Sequence, residues 1–119
     1  MIMEKIVEQG LLYDFYGELL TEHQRQIYEG IVYENLSLGE IATEQGISRQ
    51  GVHDIVKRCD KTLTEYEKKL KLIARFRKIK EQIQEMEKLS EQYEQSENVD
   101  KAAYCRKIRQ KASEILEEL

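Results

Sequence analysis

Proline and tryptophan are absent from this chain of 119 residues, glycine occurs six times and cysteine twice. Each shortage excludes something. Without proline, and with few clusters of turn-forming residues, little interrupts the long helical patterns, so an all-α protein is predicted. Without tryptophan, aromatic packing falls to seven tyrosines and two phenylalanines. Cys59 and Cys105 lie far apart on predicted helices and at no metal-ligand spacing from His23 or His53, which excludes a disulfide framework and a zinc motif. Free thiols, buried or half-buried, are expected. No run of about twenty apolar residues occurs, so no membrane span is expected. No basic flank precedes an apolar core at the N-terminus, so no secretory signal is expected and the cytoplasm is the predicted compartment. A phosphate-cradling GxxxxGK[ST] loop is missing. Carboxylate pairs such as Glu65 with Glu67 and Glu117 with Glu118 fall in solvated helical patterns, and His53 and Cys59 point to different sides of a helix. No catalytic, metal or cofactor site is expected, and an enzyme is not predicted.

Charge is abundant, at 35% of residues against 40% apolar, a mixture that suits helices with one buried and one solvated face. The net charge is −4 and unevenly spread. Residues 1–70 hold eight Lys/Arg against thirteen Asp/Glu, and residues 71–119 eleven against ten. A tight, salt-driven grip on a long duplex is not expected of an acidic half. Contact with nucleic acid would need a local basic face, or a dimer that doubles it.

Such a face is offered by LSLGEIATEQGISRQGVHDIV, residues 36–56. Ser37 and Glu40 make a capping box that starts a helix near Leu38. Leu38, Ile41 and Ala42 recur at helical spacing, with Ala42 small where a second helix crosses. Gly46 supplies a turn through a positive φ, Ile47 plugs the gap, and Ser48 caps the next helix. Val52, Ile55 and Val56 anchor that helix inward. This is a helix-turn-helix, whose second helix usually enters the major groove. Ser48, Arg49, Gln50, His53, Lys57 and Arg58 are the candidate nucleic-acid-binding residues, suited to base edges and phosphates. Fold does not fix function, and such units also serve as protein docking modules.

Along the rest of the chain, residues 4–20 read as a first helix buried around much of its girth, with Gly10 and Gly17 seven apart for close helix approach. Thr21 with Gln24 caps a second helix, whose inward face is Ile27, Ile31 and Val32, flanked by Tyr28 and Tyr33. The helix from Ser48 has no obvious stop. Its apolar face runs through Cys59, Leu63, Tyr66, Leu70 and Ile73, then shifts to Leu72, Phe76, Ile79, Ile83 and Met86 with the four-three spacing of a coiled-coil seam, reaching Tyr93 if Ser90 fills the intervening place. The shift predicts a bend near 70–73 or a change of packing partner there, with a break around 60–64 as a further alternative. Residues 95–100 are a loop, and Asp100 caps a last helix carrying Cys105, Ile108, Ala112, Ile115 and Leu119. The predicted organisation is a helix-turn-helix domain over 1–63 and a helical hairpin over 64–119. Two helices have too little surface to stand alone, so packing on the N-terminal domain or on a second copy is predicted, and a homodimer is expected.

One charge run stands apart. Lys68, Lys69, Lys71, Arg75, Arg77, Lys78 and Lys80 include no acid between them. They form a secondary basic stripe for phosphates, or a solvated face paired with acids such as Glu81, Glu85 and Glu87.

Residues 20–63 resemble the promoter-reading fourth region of bacterial sigma factors, through Leu-Thr-x-x-Gln-Arg, then Leu-Ser-x-x-Glu-Ile-Ala, then Gly-Ile-Ser with a Val four residues on. The sequence departs at Gly51, which weakens a helix by about 0.5–1 kcal/mol relative to Ala, and at Asp54, which repels phosphate. The whole chain, above all EKIVEQGLLYDFYGELLTEHQRQIYEGIVYENLSLGEIA, is similar to the YlxM family of helix-turn-helix proteins of Gram-positive bacteria. The resemblance implies an all-α bundle of the sigma-region-4 kind, unrelated to winged helices, with a C-terminal long-helix hairpin. It also implies a gene beside those of the signal recognition particle and its receptor, and an accessory or regulatory role in co-translational targeting. Expected partners are therefore DNA, the particle RNA, or the particle GTPase or its receptor. A structural adaptor of the particle, without DNA contact, is the alternative.

Overall fold

The computed structural model describes residues 2–97 and 100–119, and every regular element among them is helical. Capping side chains set most boundaries. Helix α1, Ile2–Tyr16, gives way to a 3-10 turn over Gly17–Leu19. Thr21 and Gln24 form a reciprocal capping box at the start of α2, Glu22–Val32. Ser37 and Glu40 do the same for α3, Leu38–Gln45. Ser48 caps α4, Arg49–Leu70, by accepting from the Gly51 amide at 2.9 Å. Helix α5 is Leu72–Gln95, and Asp100 caps α6, Lys101–Glu118, through the Ala103 amide at 3.1 Å. Of the loop predicted over 95–100, residues 98–99 lie outside the described ones.

The chain divides into two units, Met1–Ile73 and Ala74–Leu119. In the first, α4 bridges two buried clusters. One holds Tyr13, Tyr16, Leu20, Tyr28, Cys59, Leu63 and Ile73. The other holds Ile27, Ile41, Ala42 and Val52 between α2, α3 and α4. Ile55 and Val56 touch both. Full burial of a side chain such as Ile27 contributes about 1.5–3 kcal/mol.

Buried tyrosines need partners for their hydroxyls, and carboxylates supply them. Tyr28 donates to Asp60 at 2.5 Å, and Gln9 of α1 donates its amide to both oxygens of the same carboxylate. Tyr16 donates to Glu67 at 2.5 Å, and Tyr13 donates to Glu29. The Tyr16 pair also explains where α4 ends. Lys71 adopts the left-handed conformation (φ 56°), and the next two amides would lose helical partners. Leu72 instead donates to the Tyr16 hydroxyl and Ile73 to the Glu67 carboxylate, at 3.1 and 2.9 Å.

Several expectations change here. The break falls at Lys71, within the predicted bend and not at 60–64. The division between units falls after Ile73 rather than at 63/64, because Tyr66, Glu67 and Ile73 belong to the N-terminal packing. The first helix stops at Tyr16 rather than running to Leu20. Gly10 serves no close approach, since an added Cβ would meet nothing within 4 Å. At Gly17 it would meet the Tyr13 ring at 2.8 Å, so a ring packs there and not a helix. Tyr28 is fully buried, whereas Tyr33 stays exposed with its hydroxyl on Asp14.

In the second unit α5 and α6 run antiparallel. Lys78 pairs with Glu118 and Lys111 with Glu85, both at 2.5 Å, Gln82 donates to Glu114 at 3.3 Å, and Tyr93 meets Tyr104 edge-on at 5.7 Å. The half-buried stripe of α6 includes Tyr104, Ile108, Lys111, Ala112 and Ile115. Cys105 and Leu119 lie off it and are exposed, so one thiol is buried and one is not.

Candidate nucleic-acid interface

The outward face of α4 is presented by a rigid support. Gly46 closes α3 at φ 67°, a region most side chains resist, and the Ile47 amide returns to the Ala42 carbonyl at 3.1 Å. Val52, with no exposed surface, locks α4 against Ile27, Ile41 and Ala42. The first turns of α4 are thereby held by packing on one side and open on the other.

On the open side, Arg49, Gln50, Lys57 and Arg58 are exposed and His53 is half-buried. At about 100° per residue, Arg49, His53 and Lys57 form one row and Gln50, Asp54, Lys57 and Lys61 the next, with Arg58 at the far edge. Ser48 is exposed, but its Oγ already serves as the helix cap. Lys61 was not among the predicted contacts; continuing the four-residue step from Lys57 finds it.

Local contacts tune this face. The Gln50 amide donates to Asp54 at 2.9 Å, so the acid on this face of α4 is engaged by a neighbour rather than left bare. His53 Nδ1 sits 3.8 Å from the same carboxylate and is itself occluded without a hydrogen-bond partner, although the side chain is 45% exposed. The Arg49 guanidinium lies across the first turn of α3. A Cβ at Gly39 would come within 3.0 Å of Arg49 Nε, so the glycine gives the arginine its seat. A Cβ at Gly51 would press on the capping Ser48 Oγ at 3.2 Å. That gives Gly51 a local reason despite its helix cost.

The secondary basic run does not form one stripe. Lys68 and Lys69 close α4, where cations oppose the negative end of the helix. Lys71 is the left-handed break. Arg75, Arg77, Lys78 and Lys80 are exposed on α5, with Arg77 turned about 200° from Arg75. Among the described residues of this run, only Lys78 is ion-paired, to Glu118.

The perturbed groups lie in the core and at surface pairs elsewhere, such as Lys78 with Glu118, rather than on this face. Burial pushes the Cys59 thiol up to about 11. Burial and the bonds to Asp60 and Glu67 raise the Tyr28 and Tyr16 hydroxyls. Burial, with the bond to Asp14, raises Tyr33 to about 12. Cys59, Tyr16 and Tyr28 are buried packing residues, whereas Tyr33 is an exposed ring whose hydroxyl rests on Asp14. Among the described residues no cluster of three or more His, Cys, Asp or Glu is disposed to hold a metal, and no helix is long and apolar enough to cross a membrane.

A capped α3, a glycine turn and an α4 with an outward polar face define a helix-turn-helix protein of the all-α class. The profile of the YlxM/p13-like helix-turn-helix family matches residues 3–115. A UPF0122 protein of Desulforamulus reducens is 43% identical over 95 residues, covering 80% of this chain and 81% of its own. One from Clostridium botulinum is 45% identical over 96 residues (80% and 88%), and one from Halalkalibacterium halodurans 40% over 98 (82% and 90%). The chain belongs to this UPF0122, or YlxM/p13-like, family. The family is described by its helix-turn-helix and not by an enzymatic activity.

Proposed function

We propose that the protein is a nucleic-acid-binding regulator that contacts DNA through the first three turns of α4. The observation that carries this is the outward row of Arg49, Gln50, Lys57 and Lys61 on a helix fixed from behind by Val52. Arg49 and Gln50 suit base edges in the major groove, and Lys57, Arg58 and Lys61 suit phosphates. His53 lends contact area beside them, and Ser48 positions the helix start. The acidic remainder of the unit repels the duplex elsewhere, which confines contact to this face. Band-shift titration with duplex from upstream of its own gene tests the proposal. Binding is expected, and its loss in Arg49→Ala/Gln50→Ala. Binding indifferent to both changes would refute it.

A second reading is favoured by the unpaired cations of α5, Arg75, Arg77 and Lys80. They suit the RNA or an acidic protein surface of the signal recognition particle, the partner suggested by the sequence resemblance. Pull-down of the particle at moderate salt, lost on reversing Lys69, Arg75 and Lys78 to Glu, would support it. Full retention would count against it. The two roles are compatible.

A further inference from the structure

Helix α5 carries an apolar ridge beside the stripe that pairs with α6, half-buried at Ile79 and Met86 and exposed at Ile83. Ile79, Ile83 and Met86, preceded by Phe76, keep the four-three spacing of a coiled-coil seam. The contacts with α6 lie on the adjacent stripe, at Lys78, Gln82, Glu85 and Tyr93. Ile83 stays 45% exposed, and a groove of about 360 Å³ runs along Phe76, Ile79, Lys80, Ile83, Gln84 and Glu87.

We propose that a second copy of this chain docks here, α5 against α5 in antiparallel sense, turning two hairpins into a four-helix bundle. The charges select both occupant and direction. Lys80 and Glu87 flank the ridge on the same side, one heptad apart. Antiparallel pairing sets that flank against its own copy, so Lys80 of each chain meets Glu87 of the other. Parallel pairing would set Arg75, on the opposite flank, beside Lys80, cation against cation. The surface is thus complementary to itself, as a two-fold contact requires. The need for cover is visible inside the hairpin. Helix α6 has no buried residue, and the one buried side chain of Ala74–Leu119 among the described residues is Gln82. So little buried apolar surface leaves a two-helix element marginal alone. Ile79, Ile83 and Met86 from both copies would supply the missing core.

Light scattering or sedimentation equilibrium on the full chain tests this without nucleic acid, so it succeeds or fails apart from the DNA-binding proposal. Twice the chain mass is expected. Ile83→Glu should yield the single mass with the helical circular dichroism retained. Because an acid on the ridge could also loosen the hairpin, a charge pair gives an independent arm. Lys80→Glu should weaken the dimer about ten-fold or more, and adding Glu87→Lys should restore it. A wild-type chain that is monomeric at every concentration would leave the ridge to some other protein and overturn the proposal. A dimer indifferent to Ile83→Glu, or a double reversal that fails to restore affinity, would overturn it equally.

Discussion

Between α2 and α4 of the N-terminal unit, Ile27, Tyr28 and Val52 have no exposed surface, and the buried tyrosine hydroxyls are each matched to a carboxylate from another helix. Along the C-terminal hairpin, α6 buries nothing fully, and Gln82 is buried with one oxygen unpartnered. The first unit is organised around its interior and the second around surface pairs. Helices of similar composition thus differ in self-sufficiency. What separates them is the number of neighbours each helix can reach, since α4 packs on α1, α2 and α3. The buried interior of the first unit fixes the orientation of α4, and the second leaves Ile83 of α5 exposed.

Four perturbations would break or sharpen that contrast. The largest effect should come from Ile27→Ala, at about 2–5 kcal/mol, read from urea unfolding followed by circular dichroism. Ile115→Ala in half-buried surroundings on α6 should cost clearly less, and equal losses would erase the contrast. Next is Asp60→Ala, which strands the Tyr28 hydroxyl and the Gln9 amide and should cost about 1–3 kcal/mol. Tyr28→Phe should cost less, because Asp60 keeps Gln9; the reverse order would mean the carboxylate is not the hub of this network.

A smaller effect is expected from alkali. The Cys59 thiol is raised from an ordinary value of 9.0 to about 11 by burial, and Tyr28 is raised from its own ordinary value as well. The unfolded chain therefore releases these protons first. Their contribution to stability is full below about pH 9 and is lost as pH climbs through the folded values. The urea midpoint should hold to that pH and then fall, and Cys59→Val should remove the earliest part of the fall. A midpoint flat to pH 11 would mean that Cys59 is not shielded as the packing requires. The smallest effect belongs to Lys78→Ala. Its ion pair with Glu118 is solvent-exposed on the lysine side, so the unfolding midpoint should not move measurably. A clear loss would show that surface pairs carry more of the hairpin than the contrast allows.

Much of the first unit was legible because its signals are local. Thr21 with Gln24, Ser37 with Glu40, Gly46 and Ser48 act on backbone within four residues, as Asp100 does in the second unit, so sequence spacing alone finds them. The break at Lys71 was only approximately placed because no glycine or proline marks it; Tyr16, remote in sequence, stabilises it together with the nearby Glu67. The burial of Tyr28 depends on Asp60, which a pattern of apolar residues cannot reveal. On α6, Lys111 replaces a hydrophobic residue on the inward stripe, so the apolar spacing through Cys105 and Leu119 pointed elsewhere. The outward row on α4 followed from periodicity, whereas the seat of Arg49 on Gly39 is a contact between helices and left no signal in the spacing.

The salt dependence of duplex DNA binding tests the recognition role of α4 most directly. Each phosphate-contacting cation steepens the fall of log affinity with log salt, so Lys57→Ala and Lys61→Ala should each lower the slope by about 1. Unchanged slopes in both variants, with a slope that instead falls on replacing Arg77 and Lys80, would contradict the account.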